Sequence, residues 1–135
     1  MYQQMVFVNL PVVDVEASKK FFTELGYTIN PQFTTDDCAC VVISDTIIAM
    51  MLSKQRYADF TKKAIADATR TSEVLLCLSA ESREKVDELV DRALAVGGSV
   101  AGETQDHGFM YGRSFDDLDG HTWEVVWMDP AAVQG

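Results

Sequence analysis

The feature that most constrains this sequence is an order of segments that occurs twice: one apolar strand-like run, one capped helix and three further strand-like runs. The first helix, EASKKFFTEL, follows Asp14, which is an N-cap residue type, and stops at Gly26. The second, from Ser82 to Val96, ends at Gly97-Gly98. Both helices carry an apolar stripe on one side, which predicts packing against a sheet. We therefore predict one βαβββ unit in each half of the chain.

The unit boundaries follow from apolar alternation and turn residues. The first unit covers about residues 5–52, a connecting helix about 53–71 and the second unit about 72–128, within a single α+β domain of residues 1–135. A ferredoxin-like sandwich is the alternative, but it requires the order βαββαβ, whereas three strand-like runs follow each helix here. The predicted strands are 5–12, 27–29, 38–43 and 46–52 in the first unit and 73–79, 99–104, 109–115 and 121–128 in the second.

The charge balance argues against two classes of partner. The chain has 11 basic and 21 acidic residues, a formal net charge of -10, which repels both nucleic acid phosphates and anionic lipid headgroups. No basic segment precedes the first apolar run, and no apolar run approaches the roughly 18 to 20 residues that cross a bilayer. We therefore expect no nucleic acid or membrane partner and a cytoplasmic location.

The three cysteines, Cys38, Cys40 and Cys77, lie in apolar runs. Their odd number argues against a disulfide framework and fits a reducing compartment. Cys38 and Cys40 are two residues apart, so they share one face of a strand. They could form half of a metal site, but a second Cys or His pair is missing. We interpret these two as small buried side chains.

Two motifs at opposite ends of the chain carry a resemblance to a known family. The stretch NLPVVDVEASKKFFTELGY has a leucine-x-valine-x-aspartate run, then a serine and an aromatic pair before Leu-Gly. The stretch DDLDGHTWEVVWMD is similar to an Asp-Pro-Asp-Gly turn, with Leu118 in place of the proline and Glu124 four residues after the glycine. The chain thus resembles the vicinal-oxygen-chelate superfamily, which includes glyoxalases, bleomycin-resistance proteins and extradiol dioxygenases.

The resemblance implies two βαβββ modules in a curved mixed sheet around a cavity, where up to four side chains hold a divalent metal. Such a metal (Zn, Ni, Mn or Fe) acts as a Lewis acid, and no organic cofactor is expected. The first-strand position of the first half falls on Phe7, and the last-strand position on Met50 or Met51. In the second half these positions fall on Glu73 and Glu124, which are therefore candidate metal ligands and catalytic groups.

A glutamate inside an apolar strand needs a physical explanation. Glu124 interrupts the run between Trp123 and Val125, and a buried isolated carboxylate is strongly unfavourable unless it is paired, coordinated or protonated. If Glu73 and Glu124 face one cavity, they share a proton or hold a cation between them. The alternative is that Glu124 points to solvent or pairs with Arg113.

A substrate-binding role is predicted for six strand residues, most of them aromatic or sulfur-containing. Asn9 shares a strand face with Phe7 and offers an amide to a ligand. His121 lies three residues before Glu124 and points to the opposite face, so we do not expect it to be a co-ligand, and His107 lies in a turn. The six residues are Phe7, Asn9, Met50, Tyr111, Arg113 and Trp123.

Three functions are compatible with these residues. The leading prediction is a glyoxalase-like lyase or isomerase that depends on a divalent metal with a reduced ligand set and acts on a small oxygenated molecule. The second is metal-free binding of a small molecule such as a drug or antibiotic, as in resistance proteins. The third is a metal-independent acid–base isomerase that uses Glu124 with Glu73 or Arg113. The resemblance also implies a homodimer, since a partner subunit commonly covers exposed strand edges.

Overall fold

The computed structural model describes residues 2–132 and divides into two compact units, residues 1–67 and 68–135. Each unit has one long helix packed on one face of its own sheet. The α+β class is confirmed, and the first unit has the predicted order βαβββ, whereas the second has one additional two-residue strand, Gln105–Asp106, among those that follow its helix. The ferredoxin-like alternative is wrong, because each half forms a separate sheet in which the strand before the helix pairs in parallel with the last strand.

The first unit has four strands in the order β1-β4-β3-β2, and β1 is parallel to β4 while the other pairs are antiparallel. A short helix, α2, follows β4 and contacts β1 and β4. The elements are β1 Val6–Val12, α1 Val15–Glu24, β2 Thr28–Ile29, β3 Cys38–Val42, β4 Ile47–Ser53 and α2 Lys54–Tyr57.

Local sequence signals explain where α1 begins and ends. The Asp14 carboxylate accepts a hydrogen bond from the Ala17 backbone N–H at 3.1 Å, and Gly26 adopts φ 104°, which only glycine adopts without strain. Phe21 and Phe22 are buried with their rings 5.1 Å apart in an edge-to-face arrangement. The helix therefore holds its apolar stripe against the sheet, as predicted.

The second unit has the strand order β5-β9-β8-β6, with β7 also paired to β8, and β5 is parallel to β9. Ser82 caps its helix by accepting from the Lys85 backbone N–H at 3.1 Å. The elements are β5 Leu75–Ser79, α3 Arg83–Ala95, β6 Ser99–Val100, β7 Gln105–Asp106, β8 Met110–Asp116 and β9 Thr122–Met128. The core between α3 and the sheet is formed by Val86, Val90, Ala93, Phe115, Trp123 and Val125.

Three predicted segments differ from the structure. The segment 53–71 forms a helix only at Lys54–Tyr57, followed by a 3-10 turn at Ala58–Phe60, because its apolar residues are too few to bury a continuous helix face. The strand expected over 99–104 ends at Val100, and Gln105–Asp106 pairs with β8 where a turn was predicted. The strand expected from Glu73 starts at Leu75, and Glu73 lies in an exposed bend.

Two further observations bear on the sequence predictions. Within residues 2–132 no helix is long and apolar enough to cross a bilayer. Cys38 and Cys40 are buried, free thiols, as predicted, whereas Cys77 is a free thiol on an exposed strand face.

Candidate functional site

Each sheet has one face covered by its long helix, and we call the opposite face the open face. In the first sheet this face is exposed at β1 and largely buried at β3. In the second unit the pairing register aligns three rows of side chains on the open face. The central row is Cys77 on β5, Glu124 on β9 and Ser114 on β8. The flanking rows are Leu75, Thr122 and Asp116 on one side and Ser79, Val126 and Gly112 on the other.

Glu124 is the central charged group of this open face. It is partly buried, and among residues 2–132 it has neither a hydrogen bond nor an ion pair to another side chain. Burial raises the pKa of the neighbouring Cys77 thiol, and the Glu124 carboxylate raises it further. The thiol is therefore protonated at neutral pH, and the carboxylate is available to an incoming hydrogen-bond donor.

Three residues predicted to bind substrate lie on the helix-covered side of the second sheet. Arg113 donates to Asp87 and to Asp91 on α3, each at 2.8 Å. The Tyr111 hydroxyl donates to the same Asp87 carboxylate at 2.7 Å. The suggested pair between Arg113 and Glu124 therefore does not form, because adjacent strands place these two side chains on opposite faces.

The third of them, Trp123, is 2% exposed and donates its indole N–H to Asp117 at 2.9 Å. Asp117 also accepts the backbone N–H groups of Asp119 and His121. Burial raises the pKa of Asp117, and the nearby His121 opposes that shift. These hydrogen bonds hold the turn between β8 and β9. Trp123 therefore stabilises the fold and lies on the face of the sheet opposite to Glu124.

In the first unit the open face carries Phe7, Asn9 and Met50. Phe7 is 57% exposed, Asn9 is exposed, and Met50 pairs in register with Asn9. Met51 is fully buried in a row with Leu10 on the α1 side. The sequence did not distinguish Met50 from Met51 as the last-strand position. In the structure Met50 is the one on the open face.

Equivalent positions in the two units are found by counting residues back from the N-cap of each long helix. Phe7 lies seven residues before the N-cap Asp14, and Leu75 lies seven residues before the N-cap Ser82. By the same spacing Asn9 corresponds to Cys77, and the parallel registers then match Met50 to Glu124. Leu75, and not Glu73, is thus the second-unit counterpart of Phe7. The prediction placed Glu73 there because it started the strand two residues too early.

Comparisons with known proteins agree with this architecture. A model of the bleomycin resistance protein-like N-terminal family matches residues 4–44. The solved structure of hypothetical protein SA1046 from S. aureus is 30% identical, covers 94% of this chain and 95% of its own, and has a TM-score of 0.77. No curated protein matches the sequence.

Two further solved structures share the fold at lower identity. A glyoxalase-related enzyme from Fulvimarina pelagi is 22% identical over 93% of this chain and 88% of its own, with a TM-score of 0.77. A glyoxalase/bleomycin resistance protein/dioxygenase family enzyme from Burkholderia phytofirmans PsJN is 16% identical over 93% and 99%, with a TM-score of 0.75. The chain belongs to the vicinal-oxygen-chelate superfamily.

For a vicinal-oxygen-chelate protein, the four matched positions hold an unusual set of side chains. They are Phe7, Met50, Leu75 and Glu124, so only one of them has an oxygen donor. Divalent Zn, Ni, Mn and Fe require several oxygen, nitrogen or thiolate ligands, which this set does not provide. Within residues 2–132 no group of three or more His, Cys, Asp or Glu side chains is arranged to hold a metal. The donor set therefore does not fit the family's divalent metal.

Leu75, Cys77 and Ser114 were missed by sequence reasoning. The signal that identifies the first two was present, since both lie at fixed distances before Ser82 that match Phe7 and Asn9 before Asp14. Ser114 could not be found in this way, because its place beside Glu124 depends on the pairing of β8 with β9.

Proposed function

We propose that this vicinal-oxygen-chelate protein binds a small organic molecule without a resident divalent metal, with Glu124 as the polar anchor. The observation that supports the proposal is an unpaired carboxylate in the middle of an open sheet face. Leu75, Cys77 and Val126 on the same face offer apolar contacts. A few placed polar groups within an apolar surface are typical of small-molecule sites.

Glu124 would accept a hydrogen bond from an N–H or O–H group of the ligand. Ser114 lies next to it and already accepts the backbone N–H of Gly102 at 3.0 Å, which leaves its hydroxyl hydrogen for a ligand acceptor. The site thus pairs one acceptor with one donor, which suits a ligand with a hydroxyl, carbonyl or amide group.

The geometry supports the two enzymatic alternatives less well. A metal-dependent lyase or isomerase would need ligands that Phe7, Met50 and Leu75 cannot supply. A metal-independent acid–base isomerase would need a second titrating group beside Glu124. Arg113 is held on the opposite face by Asp87 and Asp91.

The proposal is tested by ligand binding to protein that has been dialysed against EDTA. A library of small oxygenated and aromatic compounds is screened by thermal shift, and the hits are measured by calorimetry with EDTA and with added Mn, Ni or Zn. We expect binding that EDTA leaves unchanged and that Glu124→Gln weakens about tenfold or more, as expected for a charge-assisted hydrogen bond. Glu73→Gln, in the exposed bend, is the matched control and should bind as the wild type does.

Binding or turnover that appears only when a divalent metal is added would support the metalloenzyme instead. Equal effects of Glu124→Gln and Glu73→Gln would remove Glu124 from the site.

We also propose that the protein is a cytoplasmic homodimer. The free edges of the two sheets support the dimer, because β1 and β5 lie at the edges of their own sheets and contain no charged residue. In a chain of net charge -10, a second copy can approach such uncharged edges with little repulsion. The free thiols are consistent with a reducing compartment.

A further inference from the structure

Three sulfur-containing side chains lie together on the open face of the first unit. Cys40 on β3 is the register partner of Met50 on β4, and Cys38 lies two residues before Cys40 on the same strand and face. The sequence alone indicated only half of a metal site at Cys38 and Cys40. The strand register adds a third sulfur donor from a segment ten residues away from Cys40.

The backbone hydrogen bonds show how close Cys40 and Met50 are. The Cys40 carbonyl accepts from the Asn30 N–H at 2.9 Å, and the Cys40 N–H donates to the Thr34 hydroxyl at 3.1 Å, both on the side away from β4. Cys40 and Met50 therefore form a non-hydrogen-bonded pair, in which Cα atoms are only about 4.5 Å apart and side chains are closest. Side chains in such pairs contact each other directly.

The backbone N–H and C=O groups of Cys38 point away from β4, as those of Cys40 do. The Cys38 carbonyl accepts from the Thr35 N–H at 2.8 Å, and its own N–H donates back to the Thr35 carbonyl at 3.4 Å. Cys38 and its register partner Leu52 are thus also a non-hydrogen-bonded pair on this face. Two thiols and one thioether therefore lie on the same face of two neighbouring strands. The Cys38 thiol donates to the Phe33 carbonyl at 3.7 Å, so a metal bound at this sulfur would replace that hydrogen bond.

The sulfur atoms of the two cysteines are shielded from solvent. Cys38 is 9% exposed and Cys40 is 4% exposed, and Leu52 beside them is buried. Burial raises the pKa of both thiols, so they are protonated and unreactive when no metal is bound. Arg56 acts in the opposite direction on Cys38, and Asp37 adds to the upward shift.

We propose that Cys38, Cys40 and Met50 form a binding site for a soft monovalent cation, Cu(I). Thiolate and thioether ligands select Cu(I) over Mg, Mn and other hard cations, and Cu(I) does not need the oxygen donors that this face lacks. Binding displaces one proton from each thiol, and Arg56 offsets part of the resulting negative charge. The site is independent of the proposed ligand anchor, because it uses no residue of the second unit.

The test is an anaerobic titration of the fully reduced protein with Cu(I) in competition with the chromophoric chelator bicinchoninate. We expect the wild type to take one Cu(I) per chain from the chelator. Cys38→Ser and Cys40→Ser should each lose this binding, and Met50→Leu, which keeps the volume but removes the sulfur, should weaken it. Cys77→Ser is the matched control, because it removes the exposed thiol of the other unit and should leave the titration unchanged.

X-ray absorption of the Cu(I)-loaded wild type gives a readout that does not depend on how the variants fold. We expect three sulfur neighbours around the copper. Failure of the wild type to compete for Cu(I), or loss of binding in Cys77→Ser, would overturn the proposal. Two sulfur neighbours with an unchanged Met50→Leu titration would overturn the assignment of the methionine.

Discussion

At the residue scale, strand alternation decides the chemistry of two neighbouring charged residues. Arg113 and Glu124 lie on paired strands, yet Arg113 faces α3 and Glu124 faces the open side. Arg113 is satisfied by two carboxylates, whereas Glu124 has no partner among the residues described by the structure. The sequence showed both charges but could not show which of them was free.

Asp87 provides a pH-dependent test of the Arg113 network. The Tyr111 hydroxyl and then Arg113 hold the pKa of Asp87 below its ordinary value of 3.8. A lowered folded-state pKa stabilises the protein above about pH 4, and this contribution is lost as the pH falls through the folded-state pKa. Asp87→Asn should lower the free energy of unfolding by about 1 kcal/mol at pH 7, and the difference from wild type should shrink below pH 3.8.

Urea unfolding over a pH series measures this difference. Glu88→Gln is the control, because the pairs of Glu88 with Lys85 and Arg92 are solvent-exposed pairs along one helix, each worth less than about 0.5 kcal/mol. An Asp87→Asn effect no larger than that of Glu88→Gln would contradict a stabilising role of the hydrogen bonds from Tyr111 and Arg113 to Asp87.

At the scale of elements, the helices were predicted well and the strand ends less well. Asp14, Ser82 and Gly26 act through local hydrogen bonds and backbone conformation, which the sequence displays directly. The start of β5 at Leu75 depends instead on where β9 runs beside it. The connecting segment 53–71 does not form the predicted continuous helix. Apolar residues at helical spacing do not sustain a helix unless another element offers a surface for them to pack on.

The turn between β8 and β9 gives an element-scale prediction. Gly120 has φ 85°, and an added Cβ would lie 2.9 Å from the backbone of Ala68 and Thr69. Gly108 has φ 80° but no atom within 4 Å of such a Cβ. Gly108→Ala should cost about 1–2 kcal/mol of left-handed strain, and Gly120→Ala should cost about 1–3 kcal/mol more because the backbone must also move.

Thermal unfolding of the two variants compares them directly. Since both glycines have nearly the same φ, the difference between the melting temperatures reports the steric contact alone. Equal melting temperatures would contradict the prediction, because they would show that the backbone at Ala68 and Thr69 moves away from the added methyl group without loss of stability.

At the scale of the whole molecule, the fold of each unit follows from the order of its elements. The exposed apolar edges of the two sheets then lead to a prediction about assembly. Val6 is 49% exposed at the start of β1, and Val74 is 51% exposed just before β5. Natural proteins protect such edges with charge or cover them with another chain.

We expect the wild type to be a dimer in sedimentation velocity at micromolar concentration. The double variant Val6→Lys with Val74→Lys should be monomeric, because lysine side chains on a free edge oppose strand pairing. Val100→Lys, at a more exposed valine on β6 (74% exposed), is the control and should remain dimeric. A wild type that is monomeric at every concentration, or a dimeric double variant, would rule out assembly through these edges.

Two motifs in the sequence carried the resemblance to the family. The sequence by itself also determined the two-unit fold, the caps of both long helices and the burial of Cys38 and Cys40. These features depend on periodicity and on contacts between residues close in the chain. Only the tertiary structure decided that Leu75 and not Glu73 matches Phe7, that Met50 and not Met51 faces outward, and that Met50 lies beside Cys40. The physical reason is strand register: pairing between distant segments decides which side chains share a face, and a shift of one residue reverses every face.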